Sequence, residues 1–199
     1  MPTYYRYHMP ENGNSLFWYS FDYGNMHILQ MSTEHDFTEG SPQYAWMEQD
    51  LKAVNRSVTP FLIVTGHRPM YNSEMYESDY RVCKNMRSSF ESLLTENHVD
   101  VFLAGHYHSM EVTCAVSNEV CVGLDGPGVY HITVGSAGAW VDTAGYYDVP
   151  WRAYAEQTYG YERVTTTADE LVLEFVRTSD KYDTFWRRNF FAKKFSYSF

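Results

Sequence analysis

No stretch of the 199-residue chain approaches the ~20 consecutive apolar residues that a membrane-spanning helix requires. The opening Met1 to Pro10 also lacks the apolar core of a signal peptide, so the sequence shows neither a helical span nor an address. Basic residues are scarce: fifteen Lys and Arg stand against twenty-five Asp and Glu, a formal charge of -10. That balance repels polyphosphate backbones and speaks against a nucleic-acid partner, and any anionic substrate has to be attracted locally. Cysteine is nearly absent, at three residues, and no tandem repeat or low-complexity tract appears.

The chain is instead rich in apolar (44%) and aromatic (18%) residues, enough for one well-packed unit. Leu16 to Tyr23 alternates and breaks at Gly24-Asn25, and Met26 to Ser32 resumes as an apolar strand, which predicts a hairpin. Ser41-Pro42 then supplies a cap and a first helical residue, with Tyr44, Met47, Leu51 and Val54 at helical spacing. Phe61 to Val64, a helix over roughly 80 to 96 with Val82, Met86, Phe90 and Leu93 on one stripe, and Val101 to Ala104 predict a β-α-β unit with parallel strands. Further on the pattern contains strands only: Met110 to Val116, Glu119 to Gly123, Val129 to Val134, Tyr161 to Thr166, Leu171 to Arg177 and Tyr182 to Arg187. Gly135 to Gly160 reads as one long loop, of the kind that is usually functional. Its aromatics Trp140, Tyr146, Tyr147, Trp151, Tyr154 and Tyr159 either close a core or bind a glycan or protein.

Both strands of the β-α-β unit end in Gly-His: Gly66-His67 and Gly105-His106, the latter continuing through Tyr107 to His108. Ligands of open α/β sheets bind where strand carboxyl ends meet loops, so three imidazoles are directed at one crevice. Residues 106 and 108, read as extended, project their rings to one side, a geometry suited to one or two metal ions. Cys114 and Cys121 flank Ser117-Asn118, and a two-residue turn there sets them opposite each other for a disulfide; two unpaired buried thiols remain the alternative. Asn55-Arg56-Ser57 fits a glycosylation acceptor, and with the cysteines it leans toward a secretory compartment.

Gly66-His67-Arg68-Pro69-Met70-Tyr71, Leu103 to His108, Trp18 to Asn25 and Val134-Gly135-Ser136-Ala137-Gly138 resemble purple acid phosphatases, of the calcineurin-like metallophosphoesterase superfamily. The resemblance covers nearly the whole chain. It implies an α/β fold: part of a β-sandwich flanked by helices, with residues 1–124 the later half of the catalytic domain and 125–199 a strand-rich segment completing the same sandwich. It also implies a secreted or vacuolar protein that hydrolyses small phosphate monoesters at a centre of Fe(III) with a divalent Fe, Zn or Mn ion. His67 and His106 correspond to ligands of the divalent ion and His108 to a ligand of the iron. Arg68, Tyr71, Asn72 and His35 are candidates to line the substrate site.

The family takes its remaining ligands from Gly-Asp-x-Gly, Gly-Asp-x-x-Tyr and Gly-Asn-His motifs, and this chain has no Gly-Asp pair. Gly24-Asn25-Met26-His27 sits in the hairpin turn and is not the third motif. The match therefore implies the carboxyl-terminal part of a longer enzyme. Three imidazoles without a bridging carboxylate suit at most one weakly held Zn ion. Inactivity of this chain alone is the expectation, together with self-association through an incompletely covered sandwich face. A phosphodiesterase of the same superfamily and a non-catalytic glycan- or protein-binding module are the alternatives.

Overall fold

Adjacent parallel strands, β3 (Phe61–Gly66) and β4 (Val101–Ala104), form the centre of the molecule and deliver both Gly-His ends to one edge. The structure, a computed structural model, describes residues 2–123, 126–179 and 184–191. After a short α1 (Pro2–Arg6), β1 (Tyr19–Tyr23) and β2 (Met26–Gln30) form the expected hairpin, with Gly24 taking the left-handed conformation its turn requires (φ +59°). The helix α2 (Pro42–Ala53) starts where Ser41 caps it, accepting from the Tyr44 amide at 3.1 Å, and Pro42 occupies its first turn. The helix of the β-α-β unit, α3 (Glu77–Glu96), begins about a turn earlier than its apolar stripe indicated, with Glu77 and Asp79 in its first turn. Acidic side chains there complement the exposed amide end.

The large sheet continues through β5 (Met110–Ser117), β6 (Val120–Cys121) and β7 (Val129–Val134), in the order β1-β2-β3-β4-β7-β5-β6. It has one further strand, β8 (Arg152–Glu156), antiparallel to β5, inside the segment expected to be a loop. This strand has five residues, and none of them shows the clean apolar alternation that would mark it in the sequence. A second sheet of β9 (Gly160–Thr166), β10 (Glu170–Arg177) and β11 (Thr184–Phe191) packs against the first. The expected strand start at Tyr182 and the expected segment boundary at 124 lie outside the described residues.

Period-two alternation in the central strands divides the core in two. Leu62, Val64 and Phe102 face the helices with Met86, Phe90 and Leu94, whereas Phe61, Ile63 and Val101 face Leu171, Leu173 and Phe175 of the small sheet. On that second face Ile28, Leu103, Tyr130 and Val134 are only partly buried. Among the described residues no helix is long and apolar enough to cross a membrane.

The β5–β6 turn corrects one detail of the sequence reading. Asn118 and Glu119 carry the positive φ angles (50° and 63°), so the turn lies one residue later than Ser117-Asn118 and pairs Cys121 with Val116, not with Cys114. A two-residue turn with both residues left-handed matches the twist of the flanking strands. Cys114 and Cys121 are nonetheless joined in a disulfide, diagonally across the ladder, with Cα atoms 5.7 Å apart. Cys83 is free and buried.

Candidate metal and phosphoester site

Two loops meet at the carboxyl ends of β3 and β4. The Gly105 amide donates to the His67 carbonyl at 3.0 Å, which ties them together. The second loop is not extended. His106 has φ +70°, and the Tyr107 amide donates back to the Gly105 carbonyl at 2.9 Å, so His106 is the centre of a γ-turn. A side chain with a Cβ rarely accepts this conformation, and such strain concentrates at functional sites. The turn replaces the expected alternation of residues 106 and 108. Gly135, after β7, makes it possible: a Cβ there would stand 1.8 Å from the Tyr107 carbonyl oxygen.

The turn brings His106 against His67. Their rings meet edge to face with centroids 5.0 Å apart, and His106 Nδ1 lies 3.2 Å from His67 Nε2. Two nitrogens each about 2.0–2.1 Å from one tetrahedral zinc ion stand about 3.3–3.4 Å apart, so the pair is spaced to hold a single ion. Burial, and next the neighbouring His106, hold the His67 imidazole below its ordinary range; Arg68 and His108 act in the same direction, and Glu34 opposes them. A neutral imidazole is the form that binds metal.

His108 is within electrostatic reach but is held apart by its own contacts. Its amide donates to Asp142 Oδ2 at 2.7 Å, its ring packs edge-on against Trp140, and Nδ1 is 3.9 Å from Asp142 Oδ1. Behind Asp142 lies Glu74, fully buried. Burial pushes the Glu74 carboxyl up to about 7, with Asp142 adding to the effect.

Arg68 is the hub of the site. Nε donates to Glu34 at 2.8 Å, Nη1 donates to Asp79 Oδ1 at 3.0 Å, and the same Nη1 lies 3.1 Å from His106 Nε2. Asp79 Oδ1 is 3.2 Å from that ring nitrogen too. Nothing in the sequence pattern marked Glu34, Asp79 or Asp142: they lie in two loops and a helix start, far from either Gly-His motif in the chain.

The remaining candidates are placed differently from expectation. Tyr71 is buried; its hydroxyl donates to Glu91 at 2.7 Å and accepts from the Glu119 amide, and Asn72 is buried with its Oδ1 on the Glu74 amide. Both brace the loop from beneath, and the next residue is tied to β5 where the Ser73 amide donates to the Glu111 carboxylate at 3.0 Å. His35 packs on Phe17 and Trp18 and shares a hydrogen bond with Ser32. Asn55 is exposed in a turn, its side chain accepting from the Ser57 amide and hydroxyl.

The donor chemistry fits one divalent ion and not a mixed iron pair. A ferric ion is hard and favours anionic oxygen ligands. Glu34 and Asp79 are engaged with Arg68, and Asp142 with the His108 backbone. Among the described residues no group of three or more His, Cys, Asp or Glu is arranged to hold a metal ion.

Residues 4–110 match the family model described as calcineurin-like phosphoesterase, and residues 128–184 match that described as iron/zinc purple acid phosphatase-like protein C. A curated Arabidopsis thaliana protein named probable inactive purple acid phosphatase 9 is 37% identical over 82% of the chain and 27% of its own length. A barley (Hordeum vulgare) nucleotide pyrophosphatase/phosphodiesterase is 29% identical over 93% of the chain and 54% of its own length. The solved structure of a purple acid phosphatase from yellow lupin (Lupinus luteus) seeds superposes with a TM-score of 0.85 at 27% identity, over 92% of this chain and 34% of that one. The chain thus spans about a quarter to a half of the length of these relatives.

Proposed function

The chain belongs to the calcineurin-like phosphoesterase family, in its purple acid phosphatase branch, and from that premise we propose that it supplies the imidazole part of a site that hydrolyses phosphate monoesters. The observation that carries this is the 3.2 Å approach of His106 Nδ1 to His67 Nε2 at the carboxyl ends of neighbouring parallel strands. In the family the centre combines Fe(III) with a divalent ion. Here His67 and His106 hold one divalent ion such as zinc, and His108 stands ready for a second centre whose carboxylate ligands are not gathered there among the described residues.

Without those carboxylates the chain alone does not turn over substrate. A small phosphomonoester is the ligand class, drawn in by the bound cation against the overall negative charge. The disulfide and the exposed Asn55 suit an oxidising, secretory or vacuolar setting. A second reading, phosphodiester hydrolysis at the same site, is favoured by the likeness to the barley protein.

The test is to incubate the purified chain with zinc, manganese or iron and with para-nitrophenyl phosphate or its bis-ester. No turnover of either is expected. Robust release of nitrophenol that disappears in His106→Ala contradicts the account, and the ester consumed then decides between the two readings.

A further inference from the structure

His106 can bind an ion through Nδ1 only if its single proton sits on Nε2. That outer nitrogen has two rival neighbours of opposite character. Arg68 Nη1, a donor, lies 3.1 Å away, and Asp79 Oδ1, an acceptor, lies 3.2 Å away. The two rivals also bind each other at 3.0 Å, and Glu34 holds the far side of the guanidinium at 2.8 Å.

We propose that Asp79 and Arg68 select the tautomer of His106, with Asp79 the positioning residue for metal binding and Arg68 a latch that opposes it. The inference rests on the reading that His67 and His106 share an ion. With Arg68 donating to Nε2, the ring proton occupies Nδ1 and donates to His67 Nε2, which closes the gap between the two imidazoles. With Asp79 accepting from Nε2–H, the Nδ1 lone pair faces His67 and both nitrogens are free to ligate. Both states are tautomers of the neutral ring. Its one proton changes nitrogen by exchange with water, and the ion takes the lone pair so exposed.

Outer carboxylates that fix a ligand histidine in this way change metal affinity by about ten- to a hundredfold. Arg68 works in the opposite sense twice over, by holding the wrong tautomer and by neutralising Asp79 and Glu34, whose charge favours a cation. Two of the three guanidinium nitrogens, Nε and Nη1, are already engaged by protein groups.

The experiment is nitrogen NMR of the histidine rings in the metal-free chain, followed by zinc titration against a chromophoric chelator. His106 is expected as the Nδ1–H tautomer in the wild type and as Nε2–H in Arg68→Gln. Zinc affinity is expected to fall about ten- to a hundredfold in Asp79→Ala and to rise severalfold in Arg68→Gln. Glu77→Ala, which removes a second acidic residue from the same first turn of α3, is expected to leave both readings unchanged and controls for loss of helix stabilisation. An unchanged tautomer in Arg68→Gln, or affinities that move in the same direction in the Asp79 and Arg68 variants, overturns the proposal. A wild-type chain that takes up no zinc overturns the shared-ion reading instead, and the metal-free tautomers still decide the selector.

Discussion

Gly135 shows how narrowly the site is specified at the level of single residues. Its missing Cβ leaves room for the Tyr107 carbonyl beneath the His106 turn. Gly135→Ala is expected to cost at least about 2 kcal/mol in urea unfolding, because a backbone oxygen cannot be displaced without undoing the γ-turn. Glu111 offers a second test, on pH. It is buried, and burial pushes its carboxyl up to about 7, against the opposing hydrogen bonds from Ser73 and the charge of Arg152. A carboxyl whose folded value lies above its unfolded value of about 4.3 contributes no penalty below that value and a growing one as pH rises toward 7. Glu111→Gln should therefore be nearly neutral at pH 4.5 and should gain on the order of 2 kcal/mol over the wild type at pH 8, read from denaturant midpoints. Equal midpoint differences at both pH values contradict this. His67, His106 and His108 were visible in the sequence because Gly-His closes two apolar runs. Their carboxylate partners were not, since Glu34, Asp79 and Asp142 reach the site only through tertiary folding. Tyr71 and Asn72 turn inward, since adjacency to His67 in the chain says nothing about which way a loop turns after it.

Among the elements, the first hairpin and α2 are joined by one ionisable link. His27 Nδ1 lies 2.7 Å from Asp22 and Nε2 lies 2.9 Å from Asp50, which also accepts from Ser20 at 2.6 Å. Burial disfavours the imidazolium, but the hydrogen bonds and charges of Asp50 and Asp22 outweigh it and raise His27 above 6.5. A histidine raised in the folded state stabilises fully below its unfolded value and loses that contribution as pH climbs through the folded one. His27→Gln is thus expected to lower the melting temperature more at pH 5.5 than at pH 8.5, with a loss of about 1 kcal/mol at the lower pH. A loss that is the same at both pH values contradicts the link. The elements themselves were largely legible: the hairpin, both longer helices and the parallel pair follow from apolar spacing and punctuation. The strand Arg152–Glu156 was hidden because its pairing with β5 comes from its partner's register rather than from a pattern of its own. The cysteine turn slipped by one residue for a similar reason, since Ser117, Asn118 and Glu119 all suit a turn and only the strand twist chooses among them.

For the molecule as a whole, three strands of small sheet cover part of one face of a sheet with eight. A crevice of about 380 Å³ remains between them, lined by Leu103, Gly105, Val134, Ala137, Tyr161 and Glu162, and both Glu162 carboxylate oxygens lack a hydrogen-bond partner among the described residues. The partly buried Ile28, Leu103, Tyr130 and Val134 on this face favour association, so light scattering after gel filtration is expected to give species larger than the 23.3 kDa monomer. A monodisperse monomer with one cooperative melt contradicts that expectation. The central proposal is that these residues hold one ion between two imidazoles and not the metal pair of the family. X-ray absorption at the zinc edge of the loaded chain reads this directly. The account predicts an imidazole shell at about 2.0–2.1 Å that is lost in His67→Ala and His106→Ala, with no second metal in the scattering. A metal–metal distance of about 3.5–4 Å, or a zinc shell unaffected by either substitution, contradicts it.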